Sequence, residues 1–275
     1  MTGRINVGNV EIVVVSDGVL RDSISIISNI DGERAAALAN AGQHGEIELP
    51  VNCFLLRKDG LTCLIDTGAG TGLHPTLGRS PENLAAIGVD PASVQHVLLT
   101  HLHPDHVNGL VDAQGLPAFP IAEVRVHARE AAFWLDSPVT DAFSKAQQHR
   151  MLANRTLLGA YAGRVSRVTD GEVLPGIEVR CCAGHSPGHA CWIVDAGEAK
   201  VLFWGDIVHV AAVQVPHPEA GVAYDHDPAA ARVSRESLFS EIADTSTIIA
   251  GAHLDAFHFL VREPKGYRLK PVAGQ

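Results

Sequence analysis

The chain has 275 residues, 46% of them hydrophobic and 19% charged, which is material for one sizeable core or two small ones. Its 31 acidic residues outnumber the 21 basic ones, and the resulting net charge of −10 excludes the broad basic face that nucleic acid or an anionic membrane requires. No apolar run approaches the roughly 18 residues of a membrane span. The N-terminus lacks a charged start followed by an apolar stretch, and the five cysteines show no C-x-x-C spacing. The expectation is a cytoplasmic protein with reduced thiols.

Taken in chain order, residues 11–15 read as a strand that runs into a turn at Asp17-Gly18. Residues 21–50 are irregular and carry Ile24, Ile26, Ile27 and Ile30. They read as a loop or short helices over the body of the domain, either covering a site or packing at a homodimer interface. Residues 52–57, the turn Asp59-Gly60 and residues 61–66 have the form of a β-hairpin. Ser80-Pro81, Asp90-Pro91 and Asp227-Pro228 each place a capping side chain before a proline, the mark of a helix start. The longest helix is expected from Val139 to about Tyr161, and another at 228–243. Further strands are expected at 95–99, 123–126, 177–181, 191–194, 200–204 and 247–250. Strands and helices alternate with no linker between them, which predicts a single α/β domain over 1–275.

The 15 histidines are the anomaly, and they cluster with aspartate. A buried-strand pattern at 95–100 is followed by His101-Leu102-His103-Pro104-Asp105-His106. In an extended segment residues two apart point the same way, so His101 and His103 can grip one ion. Asp105 and His106 diverge, which suits a second ion, and Pro104 stops the strand. Two ions need more donors than this run supplies. Three places elsewhere offer them: the turn Gly184-His185-Ser186-Pro187-Gly188-His189, the strand end Trp204-Gly205-Asp206, and the strand end Ala250-Gly251-Ala252-His253.

His101-x-His103-x-Asp105-His106, followed in order by His189, Asp206 and His253, resembles the metallo-β-lactamase fold superfamily, as does Leu64-Ile65-Asp66-Thr67-Gly68. The resemblance implies a four-layer αββα sandwich with the metal site at one edge of the two sheets. It implies His101, His103 and His189 on one divalent ion, Asp105, His106 and His253 on the other, and Asp206 bridging both. Zinc is the expected metal, with Mn, Co or Fe as alternatives. Flavodiiron proteins carry Glu where this chain has His103, and many true β-lactamases of the fold carry Cys or Ser in place of Asp206. The stretches 100–110, Val126-His127 with Phe133-Trp134, and 203–209 are similar to the branch of methyl parathion hydrolase and its lactonase-like relatives.

Such a site lowers the pKa of a bridging water towards ~7 and yields a hydroxide nucleophile. Asp105 and Asp206 are the expected catalytic carboxylates, Asp105 steering the nucleophile or passing a proton to the leaving group. The function implied is hydrolysis of a small lactone or ester, with phosphotriester cleavage as a side reaction. Thioesterase or β-lactamase activity on the same site is the alternative, as is a mononuclear iron sulfur-dioxygenase. His185 reads as hydrogen-bonding support for the ligands, and Asp66 as a turn cap or similar support. His209, Trp134 and Phe143 are the candidates for the substrate pocket, although apolar residues at helical spacing also suit a core.

Overall fold

The computed structural model describes residues 3–273. Met1 and Thr2, on which the reading of the N-terminus partly rests, lie outside the described residues. The first half of the chain contributes β1 (Arg4–Val7), β2 (Val10–Ser23), β3 (Ile27–Ser28), α1 (Gly32–Ala39), β4 (Glu46–Lys58), β5 (Leu61–Ile65), α2 (Ser80–Ala86), β6 (His96–Leu98), α3 (Pro104–Val107), β7 (Glu123–His127), α4 (Ala128–Ala131), α5 (Lys145–Gly159) and β8 (Val165–Val168). The second half contributes β9 (Gly171–Leu174), β10 (Ile177–Cys181), β11 (Ala190–Asp195), β12 (Lys200–Phe203), α6 (Ala211–Gln214), β13 (Gly221–Val222), α7 (Pro228–Ile242), β14 (Ile248–Ala250), β15 (His258–Arg262) and β16 (Tyr267–Pro271). Each half builds one sheet, in the orders β1-β2-β4-β5-β6-β7-β8 and β16-β15-β14-β12-β11-β10-β9.

Continuous apolar runs make both faces of each sheet hydrophobic, so each sheet must be covered twice. On β2, Ile12 and Val14 meet the second sheet while Val13 and Val15 meet helices. On β4, Phe54 and Leu56 turn inward while Cys53 and Leu55 turn outward. Trp192 and Phe203 fill the space between the sheets from the other side. Met151 and Leu158 of α5 cap the first sheet, and Leu238, Phe239 and Ile242 of α7 cap the second. The expected αββα sandwich is therefore the observed architecture.

Three local expectations are corrected. Asp17-Gly18 is not the end of a strand: β2 continues through it, with a shift of register between Ser16 and Gly18. At this bulge the buried Asp17 carboxylate accepts the backbone N–H groups of Ala69, Gly78 and Ser80, at 2.9, 3.0 and 3.0 Å. Gly18, at φ +128°, lies so close to Thr76 that a Cβ would stand 2.0 Å from its carbonyl oxygen. Residues 21–50 are likewise no loose loop. β2 and β4 pair from Val10↔Lys58 out to Ser23↔Glu46, and α1 closes the end of this arm. Its isoleucines 24, 26, 27 and 30 pack with Ile47 and Leu49 against Val210 and Val213. The long helix starts later than Val139, at Lys145, because Ser144 and Gln147 form a capping box.

The Asp17 bridge ties the loop after β5 to the first sheet. Asp17→Ala leaves three amides, two of them buried, without an acceptor and is expected to lower the unfolding free energy by about 3 kcal/mol or more. The check is a fall in denaturant midpoint at unchanged slope. A loss below about 1 kcal/mol would mean that water satisfies those amides.

Candidate metal centre

At the sheet edge formed by the C-terminal ends of β6, β12 and β14, two groups of donors converge. His101, His103, His185 and Asp206 form one, and Asp105, His106, Asp206 and His253 form the other. Within each group the donor atoms all lie within 4.8 Å of one another. His101 and His103 follow β6 in extended backbone, with His103 at φ −81°, ψ 153°. Pro104 then starts the single turn α3, which swings Asp105 and His106 to the second group. Leu102 points the other way into the helical layer, so one buried leucine forces both flanking imidazoles towards the site. Asp206 stands in the turn after β12, next to Gly205, whose φ is +54° and whose Cβ would stand 2.6 Å from the His189 ring.

The imidazoles are held from behind. His101 Nδ1 lies 3.0 Å from Thr100 Oγ1, His106 Nδ1 2.8 Å from Asp66 Oδ2, His253 Nδ1 2.7 Å from the Pro50 carbonyl, and His185 Nδ1 3.1 Å from Asp225 Oδ1. Each partner can accept a hydrogen bond from Nδ1–H, which turns Nε2 towards the centre and leaves it free to ligate once deprotonated. Asp66, expected as a turn cap or a support, is that support. It also accepts the Thr100 backbone N–H and hydroxyl, both at 2.8 Å.

The centre has the chemistry of a cation site. His185 Nε2 and His103 Nδ1 stand 2.9 Å apart, and two facing nitrogen lone pairs call for a cation or a proton between them. His101 Nε2, His106 Nε2 and Asp206 Oδ1 are buried with no hydrogen-bond partner in the protein. Asp206 Oδ2 lies 3.6, 3.2 and 3.4 Å from the Nε2 atoms of His101, His185 and His253, while Oδ1 lies 3.2 Å from that of His106. A carboxylate whose oxygens lie against histidines of both groups fits the bridging role, and imidazole with carboxylate is a donor set for zinc and its neighbours.

One ligand expectation is overturned. His189 does not join either group; its place is taken by His185. The turn 185–188 projects His185 over the centre, whereas His189 lies at the root of β11, where its carbonyl pairs with Cys182. From there its Nε2 accepts the backbone N–H of Asp206 at 3.0 Å, fixing the bridging residue from behind. The roles expected of the two histidines are exchanged.

Glu130 escapes notice in the sequence, although it is a lone acid in the apolar run that continues through Phe133 and Trp134. It is fully buried, and its Oε1 accepts Leu102 N at 2.9 Å and Trp134 Nε1 at 2.8 Å. Its Oε2 accepts Ser186 Oγ at 2.7 Å and Gly188 N at 2.8 Å. One carboxylate thus joins the His101–His103 segment to the turn that carries His185. Asn154 of α5 completes the clamp, donating to the Leu102 carbonyl at 3.0 Å.

The donors form the floor of a cavity of about 470 Å³. Leu20 and Leu49 of the β2–β4 arm, with Leu73 and Leu77 of the loop after β5, give it an apolar wall; His74, Arg150, His209 and Tyr224 also line it. Trp134 and Phe143 do not. Trp134 is buried in the helical core with its indole N–H on Glu130, and Phe143 packs on Phe133, so both follow the core alternative. His209 does line the cavity, but it places Nε2 3.2 Å from Asp206 Oδ2 and stacks on His253. Of the arm, Leu20 and Leu49 reach the cavity.

Burial is the largest influence on the ionisable groups here. It pushes His101 and His103 well below the usual histidine value, with His106 and His185 respectively adding to the effect. Burial also works against charge on Asp206, yet the imidazoles of His106, His253 and His101 outweigh it and hold this carboxyl well below the usual range. At His106 burial opposes the charge, but Asp206, Asp105 and Asp66 raise it well above its ordinary value. His185 is raised to about 9 against burial by Asp206 and Asp225, and His253 is raised mainly by Asp206. Without a cation, the ionised carboxylates therefore favour the protonated form of His106, His185 and His253.

Two outcomes follow. A histidine raised above 7 holds its proton at pH 7 and must lose it to ligate, so metal uptake is expected to release protons and tighten as pH rises. Calorimetry in buffers of different ionisation enthalpy counts those protons, and a count of zero would contradict the electrostatic picture. Glu130→Gln turns an amide N–H₂ against two of the four donors. It is expected to weaken metal retention against a chelator by roughly tenfold, the ion on His101, His103 and His185 leaving first.

Residues 47–253 match the metallo-beta-lactamase superfamily. The crystal structure of AbOPH, a hydrolase in the beta lactamase superfamily, superposes at a TM-score of 0.93 with 30% identity, covering 100% of this chain and 98% of that one. AidC, a dizinc quorum-quenching lactonase, superposes at 0.91 with 23% identity over 100% and 98%, a likeness of fold. A probable metallo-hydrolase of Mycobacterium tuberculosis is 26% identical over 200 residues, 61% of this chain and 60% of that protein. The chain thus spans about 60% of the length of that curated relative. With a matching segment that contains all the converging donors, the chain belongs to the metallo-β-lactamase superfamily.

Proposed function

We propose that this protein is a dinuclear metal-dependent hydrolase that cleaves small esters and opens small lactones, with zinc as its metal. The observation that carries the reading is the pair of donor groups sharing Asp206 on the floor of a cavity of about 470 Å³, a size that suits a small organic substrate. When bound, two divalent ions supply an acidified water and polarise the oxygen of the scissile bond.

The chain's own groups do the rest. His101, His103 and His185 hold one position, Asp105, His106 and His253 the other, and Asp206 faces both. Asp105 lines the cavity as well as the donor group, so its carboxylate is placed to accept a proton and deliver it to a leaving group. Burial lowers His209 to about 4 against the pull of Asp206, so it is neutral at pH 7 and steadies that carboxylate through Nε2. The leucine wall gives an acyl or alkyl group somewhere to desolvate.

The reading is tested by offering purified, metal-analysed protein a panel of lactones, aryl esters, thioesters, β-lactams and phosphotriesters. Turnover of esters or lactones with two zinc-like ions per chain is expected. Asp206→Ala is expected to lose both ions and at least about a thousandfold of the rate. Turnover that survives this change would remove the bridging role. A single iron per chain with oxygen consumption would replace hydrolysis by sulfur dioxygenation, and preference for thioesters, β-lactams or phosphotriesters would move the substrate class.

A further inference from the structure

Arg150 is the one lysine or arginine among the residues that line the cavity, beside His103, Pro104 and Asp105. It projects from α5 and is partly buried, with its guanidinium carbon 5.5 Å from the centroid of the Trp134 ring. Among the described residues it makes no ion pair within 4.0 Å and no hydrogen bond. The carboxylates nearest in effect are committed elsewhere: Asp105 belongs to a donor group, and Glu130 accepts four hydrogen bonds. Burial lowers Arg150 from its ordinary value and those two carboxylates offset only part of it, yet a guanidinium keeps its charge in proteins.

A partly desolvated fork of N–H donors, beside a centre already formally positive with two divalent ions against two carboxylates, lacks a counter-ion. Building on the hydrolase reading above, we infer that Arg150 is the anion-binding residue of the substrate cavity, and that the substrates preferred are esters or lactones carrying a second, already ionised oxyacid group. The planar fork matches carboxylate or phosphate oxygens, while the ring of Trp134 supports its opposite face. The leucine wall accepts the apolar remainder, so the substrate is an anionic amphiphile rather than a neutral one.

The test compares wild type with Arg150→Met and Arg150→Lys, all zinc-loaded and matched in metal content. The probes are p-nitrophenyl alkanoates, the mono-p-nitrophenyl esters of dicarboxylic acids of the same chain lengths, and the corresponding phosphonate-tailed esters. Wild type is expected to prefer an anionic series, through a lower KM. Arg150→Met is expected to reduce the anionic-to-neutral ratio of kcat/KM by about tenfold or more. Lysine should restore part of that ratio, since it keeps the charge but not the fork. Which anionic series loses more identifies carboxylate or phosphate as the group bound. An unchanged ratio in Arg150→Met, or a wild type that prefers neutral esters, overturns the inference while leaving the hydrolase reading intact. If neither esters nor lactones turn over, that reading fails instead. The inference is then decided by calorimetric titration with the monoamides of the same acids, whose Kd should rise about tenfold in Arg150→Met; an unchanged Kd overturns it.

Discussion

The four hydrogen bonds accepted by Glu130 are the interaction on which the centre depends. The donors come from segments far apart in sequence and from both sheets, and backbone pairing alone does not fix the relation between the segment 101–103 and the turn 185–188. A buried carboxylate with both oxygens doubly used does so, because any relative movement of the two segments strands a charge in the interior. Asp17, Asp66 and Asp225 repeat the device on a smaller scale. The first anchors the loop after β5, the second holds His106 and the start of the ligand run, and the third holds His185. Carboxylates that never touch an ion thus outnumber those that would.

The two sheets are also stitched directly at this edge. Ala190 N donates to the Thr100 carbonyl at 2.8 Å, and the Trp192 indole donates to that of Leu99 at 3.1 Å. On the other side Asn52 Nδ2 donates to the Leu254 carbonyl at 2.7 Å, beside the bond from His253 to Pro50. At the metal edge the sandwich is therefore joined by polar bonds as well as by packing. Rigid imidazoles with fixed lone pairs follow from that arrangement, since each ring is oriented by a group that is itself part of the seam.

Much of this was legible in the sequence, and the reasons for the rest are physical. The run 101–106 announced itself because five of its six residues are donors or a turn former at spacings that a short extended segment and one helical turn can use. Strands such as Ile177–Cys181 and the hairpin of β4 and β5 were visible through apolar runs and turn residues. The exchange between His185 and His189 was not visible, because both sit four residues apart in one turn and only the pairing of His189 with Cys182 sets it back from the edge. The spacing of Trp134 and Phe143 suits a core as well as a pocket, and no signal in the sequence shows that Glu130 claims the indole. The arm from β2 to β4 was obscured by Asp17-Gly18, a turn pair in sequence that serves as a bulge within a strand.

That arm separates two kinds of change. Leu20 and Leu49 reach the cavity from a β-ribbon whose tip is closed by α1, while every candidate ligand sits on other segments. Side-chain substitutions at Leu20 and Leu49 can reshape what the cavity admits while the Pro50 carbonyl that holds His253 stays in place. Selection acting on such a protein can therefore explore new substrates at little risk to its chemistry, and drift between relatives should accumulate in the ribbon before it reaches the seam.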